Sequence, residues 1–166
     1  MSSPDERPSS LPAALARADA YRHAFDDLSA RTRNANTRNH VLIVDDNATV
    51  ASALRALIME NCPGASVVCM TDPEVAARAI TNGHWAVVIA DVSIGPRIHG
   101  GALAEMVPRT TDVFLFTGHD IDTTASERAL RLQETLRKPL SAEQEKRLVT
   151  FINGRMELRA SIEPNA

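Results

Sequence analysis

Val41-Leu42-Ile43-Val44-Asp45-Asp46-Asn47 sets four consecutive apolar residues directly against two carboxylates and an amide. A strand with one wet face alternates apolar and polar residues. A run that is apolar throughout fits a strand covered on both faces, as in a parallel sheet flanked by helices. The pattern recurs along the chain. Helical spacing follows at Val50, Leu54, Leu57 and Ile58, then a second apolar run at Ser66 to Met70, then helical spacing at Val75, Ala79 and Ile80. Trp85 to Ala90 makes a third run, Val113 to Phe116 a fourth, and the weaker Leu132 to Leu136 a fifth, before a long final helix. This alternation predicts an α/β fold with a doubly wound, five-stranded parallel sheet. Helix boundaries agree: Asp72 before Pro73 reads as an N-cap and first helical residue, Gly83 as a helix end, and Ser141 with Gln144 as a capping box.

A chain of 166 residues has room for one domain with a substantial core and an extension of about forty residues. The α/β domain is expected over residues 40–158, with a polar tail at 159–166. Residues 1–39 carry no strand signal, but Leu11, Ala14, Ala18, Tyr21, Phe25 and Leu28 alternate between heptad positions a and d. They predict an extra amphipathic helix over about 11–30, then a polar linker from Arg31 to Asn39. Its apolar stripe has three possible uses: packing on its own domain, pairing in a homodimer, or recognising a partner protein. A formal charge of −3 supplies no basic field, so no nucleic-acid partner is expected. The polar start, Met1 to Ser10, and the lack of any membrane-length apolar run predict a cytoplasmic protein with no membrane contact. Cys62 and Cys69 have neither CxxC spacing nor adjacent histidines and are expected as reduced core thiols.

Open parallel sheets bind ligands outside the carboxyl ends of their strands, so the residues there decide the chemistry. Strand 1 ends in Asp45 and Asp46, strand 3 in Asp91, strand 4 in Thr117 and Gly118, and strand 5 in Arg137, Lys138 and Pro139. Three carboxylates gathered at one edge repel each other, which raises their pKa values or demands a cation, and hard oxygen ligands of this kind select Mg2+. A phosphate arriving there would meet the metal, the Lys138 ammonium and the Thr117 hydroxyl, all of which offset charge on phosphoryl oxygens. Asp91 is then placed as a carboxylate nucleophile.

Taken together, Val-Leu-Ile-Val-Asp45-Asp46-Asn47, Val-Val-Ile-Ala-Asp91, Phe-Leu-Phe-Thr117-Gly118 and Arg-Lys138-Pro139 resemble the motifs of response-regulator receiver domains. The likeness covers His40 to about Gly154. Spacings of 45 residues from Asp46 to Asp91, 26 to Thr117 and 21 to Lys138 make the set specific where each piece alone is weak. The resemblance implies a flavodoxin-like sheet of order 2-1-3-4-5 and a phosphoryl group accepted on Asp91 from a histidine kinase or a histidine phosphotransfer protein. It also implies Asp46, Asp91 and the backbone carbonyl of Ser93 as direct magnesium ligands and Asp45 as one acting through water. Thr117 and Lys138 would bind phosphoryl oxygens, and a cis bond would precede Pro139. The protein would then be a single-domain phosphoacceptor with at most weak self-phosphorylation and autodephosphorylation, signalling by protein contact or phosphate transfer.

Two positions depart from the family. Thr135 stands where an aromatic residue often lies three places before the lysine. The segment Ser93 to Gly101 is one residue longer than usual, leaving Ala102 to Val107 about two turns of helix. His119 and Ser93, each two residues after a motif residue, hold positions that in this family influence water attack on the acyl phosphate. His40, His84 and His99 lack ligand spacing and, with Trp85, are assigned to packing or surface. His23 has no kinase ATP-binding segment beside it and is assigned to the surface. The competing function is a binding adaptor that uses the fold as a scaffold, recognising partners through the N-terminal helix without phosphorylation. A phosphatase acting on small substrates would need an acid two residues after the nucleophile, and Ser93 occupies that place.

Overall fold

The computed structural model describes residues 39–94, 100–118 and 132–162. The expected N-terminal helix, its expected linker apart from Asn39, His23, His99, His119 and the final residues 163–166 lie outside them. The order is β1 (His40–Val44), α1 (Ala48–Asn61), β2 (Ser66–Met70), α2 (Pro73–Asn82), β3 (Val87–Asp91), α3 (Gly100–Met106), β4 (Asp112–Thr117), β5 (Leu132–Arg137) and α4 (Ala142–Ile162). All strand pairs are parallel, and the spatial order is β2-β1-β3-β4-β5. This is the expected doubly wound sheet, whose order reverses beside β1.

The three central strands are buried at every residue, which is why their sequences do not alternate. Val41 and Ile43 of β1 join Val87 and Ile89 of β3 and Phe114 and Phe116 of β4 in one core. Ala51, Leu54 and Ile58 of α1 and Leu148, Ile152 and Met156 of α4 cover it. Phe151 packs edge-on against Phe114, with ring centroids 5.1 Å apart. Leu42, Val44, Val88 and Ala90 are equally buried, and pleating turns them toward the other face.

The expected caps are present. Asp72 accepts from the amides of Glu74 and Val75, and Gly83 closes α2 by donating its N–H to the carbonyl of Ala79. Ser141 and Gln144 exchange bonds at the start of α4.

Three boundaries differ from expectation. β3 begins at Val87 rather than Trp85, because the Trp85 indole turns back to donate to the carbonyl of Ala79 and the Trp85 carbonyl accepts from the Thr111 hydroxyl. α4 runs to Ile162, past residue 158, and Arg159 there donates to the carbonyl of Thr110. α3 spans Gly100–Met106, starting two residues earlier than read from the sequence. Cys62 and Cys69 are both free thiols, the first buried and the second half-buried, and burial raises the pKa of each. No helix among the described residues is long and apolar enough to cross a membrane.

Candidate functional site

At the carboxyl edge of the sheet the chain leaves β1 through Asp45, Asp46 and Asn47. The Asp45 amide still donates to the carbonyl of Met70 on β2, so the backbone stays locked one residue beyond the strand. Asn47 then caps α1, its side-chain oxygen accepting from the amides of Thr49 and Val50. Its own amide donates to Asp45 Oδ1 at 2.9 Å, which fixes that carboxylate. On β3 the Asp91 carboxylate is held similarly, with Oδ1 accepting from the amide of Ser93 at 3.1 Å.

Each carboxylate keeps its second oxygen for one cation. Lys138 Nζ donates to Asp45 Oδ2 at 2.6 Å and lies 3.0 Å from Asp91 Oδ2. Its ammonium also sits 4.9 Å above the ring centroid of Phe116. Burial by itself would lower the Lys138 pKa, but the hydrogen bonds and negative charge of Asp45 and Asp91 outweigh it and raise the ammonium above its ordinary value. The Lys138 amide donates to the Thr117 carbonyl, tying the end of β5 to β4, and the Lys138–Pro139 bond is cis, as expected.

The side chains of Asp45 and Asp91 are almost wholly buried, whereas Asp46 is exposed. Oxygens of all three approach within 4.8 Å of one another. That spread, hard-oxygen chemistry and a negative balance even with Lys138 present fit a small divalent cation. Thr117 is buried at the end of β4, beside the strand that ends in Asp91. Ser93 follows Asp91 in the turn and touches it through its amide.

The sequence-predicted residues of strands 1, 3 and 5 therefore meet, and Thr117 lies at the same edge. Two contributors carried no role in the sequence reading. Asn47 orients Asp45, and the signal for it was an N-cap residue directly before a helical pattern. Phe116 lies under the lysine, and nothing in an apolar strand marks which ring a distant ammonium will cover. Thr135 is half-buried beside Leu115, and its hydroxyl has no hydrogen-bond partner among the described residues.

A groove of about 360 Å³ opens next to the site, lined by Val50, Ala53, Leu54 and Leu57 of α1 with Lys138 and Leu140. Lys138 belongs to both, so the apolar groove and the acidic edge are continuous.

Solved structures similar to this chain include response-regulator receiver domains. One from Clostridium thermocellum is 23% identical with a TM-score of 0.59, the alignment covering 75% of this chain and 98% of that one. A receiver-domain protein from Methanospirillum hungatei JF-1 is 16% identical with a TM-score of 0.61, over 75% and 98%. The N-terminal domain of a response regulator/sensory box/GGDEF three-domain protein from Carboxydothermus hydrogenoformans is 18% identical with a TM-score of 0.60, over 75% and 99%. No family model and no curated protein matches the sequence. The described residues thus have the receiver fold.

Proposed function

We propose that this protein is a phosphoacceptor switch of a two-component or phosphorelay pathway, with Asp91 as the acceptor. The observation that carries this reading is the single ammonium of Lys138 shared between Asp45 at 2.6 Å and Asp91 at 3.0 Å, with a third carboxylate alongside. A cation held between two buried carboxylates becomes a cation available to a phosphoryl oxygen once one carboxylate is phosphorylated. In the proposed reaction an Asp91 oxygen attacks the phosphorus of a phosphohistidine on a kinase or phosphotransfer protein. The P–N bond breaks, the imidazole leaves with its electron pair, and an acyl phosphate forms. Water later cleaves that acyl phosphate to inorganic phosphate and the free carboxylate.

Asp46, Asp91 and the Ser93 carbonyl would hold Mg2+ directly, with Asp45 behind them. When bound, the ion supplies positive charge opposite the transferring oxygens. Lys138 neutralises one phosphoryl oxygen, and the Thr117 hydroxyl donates to another. Asn47 and the Ser93 amide keep the two buried carboxylates from rotating, so little reorganisation is needed at the moment of transfer. The phosphoryl group adds about −1.5 to −2 charges, enough to bias neighbouring segments between alternative arrangements.

The donor protein would lay an apolar surface in the groove along α1. The continuity of that groove with Lys138 would align the donor imidazole with Asp91. A cytoplasmic location accords with this role.

The test is incubation with magnesium and acetyl phosphate followed by intact mass measurement. Wild type should gain one phosphoryl group and Asp91→Ala none. An adduct that persists in the variant would sink the assignment of Asp91, and no adduct with either a small donor or a phosphohistidine protein would sink the reading.

A further inference from the structure

We draw no further inference here: the strongest candidate, the cleft at the amino-terminal edge of the sheet between Trp85, Pro108, Thr111 and Arg159, carries nothing because its polar groups already bond within the fold, Trp85 Nε1 to Ala79, the Thr111 hydroxyl to Trp85 and Arg159 to Thr110.

Discussion

Lys138 and Asp45 stand 93 residues apart in sequence and 2.6 Å apart in space, the lysine 20% exposed and the carboxylate 1%. Lys138→Met would leave two buried carboxylates facing each other without a cation. Breaking a fully buried pair costs about 3–5 kcal/mol, and the partial exposure of Lys138 brings the expected loss to about 2 kcal/mol in metal-free buffer. Millimolar magnesium should restore part of it, since an ion bound only by the folded state stabilises that state. Urea denaturation with and without magnesium measures both. Equal midpoints for variant and wild type would mean the bridge contributes nothing to the fold.

Asp46 is exposed and makes no demand on the core, so Asp46→Asn should leave stability within about 0.5 kcal/mol of wild type. As a proposed direct ligand it should matter far more to the ion. Magnesium affinity is expected to fall by at least about tenfold by calorimetric titration, a loss that even outer-sphere changes can produce. Unchanged affinity would remove Asp46 from the ligand set.

Ala53 is exposed on the α1 side of the groove. Ala53→Arg fills the groove mouth and leaves the Asp91 and Lys138 residues themselves unchanged. Phosphorylation by acetyl phosphate should proceed at the wild-type rate, while transfer from a phosphohistidine protein should slow by about tenfold or more, as burying an unpaired charge at an interface costs over 1.4 kcal/mol. Equal slowing with both donors would place the defect in the chemistry and not in docking.

His40 is buried, both ring nitrogens are without partners among the described residues, and its ring meets Trp85 edge-on at 6.2 Å. Burial lowers its pKa below the ordinary 6.5. Between that lowered value and 6.5 the unfolded chain binds more protons than the folded one, so stability rises with pH through this window and levels off above it. Acidifying from pH 7.5 to below 6.5, into this window, should therefore destabilise wild type more than His40→Leu, read as the difference in denaturant midpoint. Parallel pH curves would show that His40 does not titrate on unfolding.

Gly83 ends α2 where an added Cβ would lie 2.6 Å from the Ala79 carbonyl oxygen and 2.6 Å from Trp85 Nε1. These two atoms form the hydrogen bond that folds the indole back onto the helix. Gly83→Ala should push them apart, costing about 1–3 kcal/mol as overpacking does. Trp85 is the single tryptophan, so its fluorescence should report the disturbance directly. A native emission spectrum with native stability would mean that the neighbours give way freely.

The sheet was readable because a strand buried on both faces needs an unbroken apolar run, as Val41 to Val44 and Val87 to Ala90 provide. β5 gave the weaker signal because it lies at the sheet edge, where Gln133 is exposed and Glu134 pairs with Arg147. Trp85 looked like a strand residue by polarity alone. Its placement is decided by one hydrogen bond to a helix six residues back, which apolar patterning does not encode. At the site, strand ends located Asp45, Asp91 and Lys138, but not that the lysine would span both acids. That bridge depends on the lysine's rotamer and the ring of Phe116 beneath it, and no spacing rule carries such information. The end of α4 lies beyond the apolar pattern for a related reason. Polar residues near a terminus read as tail, yet Arg155 pairs with Asp112 and Arg159 with a loop carbonyl, giving those turns something to hold.

Because the ammonium comes from the end of the last strand of the sheet, the bridge between Asp45 and Asp91 cannot form until nearly the whole domain has been synthesised. A nascent chain that has made β1 and β3 already contains both aspartates, but not the lysine that bridges them. The Lys138 bridge is in this sense a property of the finished fold, and loosening β5 from β4 would remove it without altering any acid.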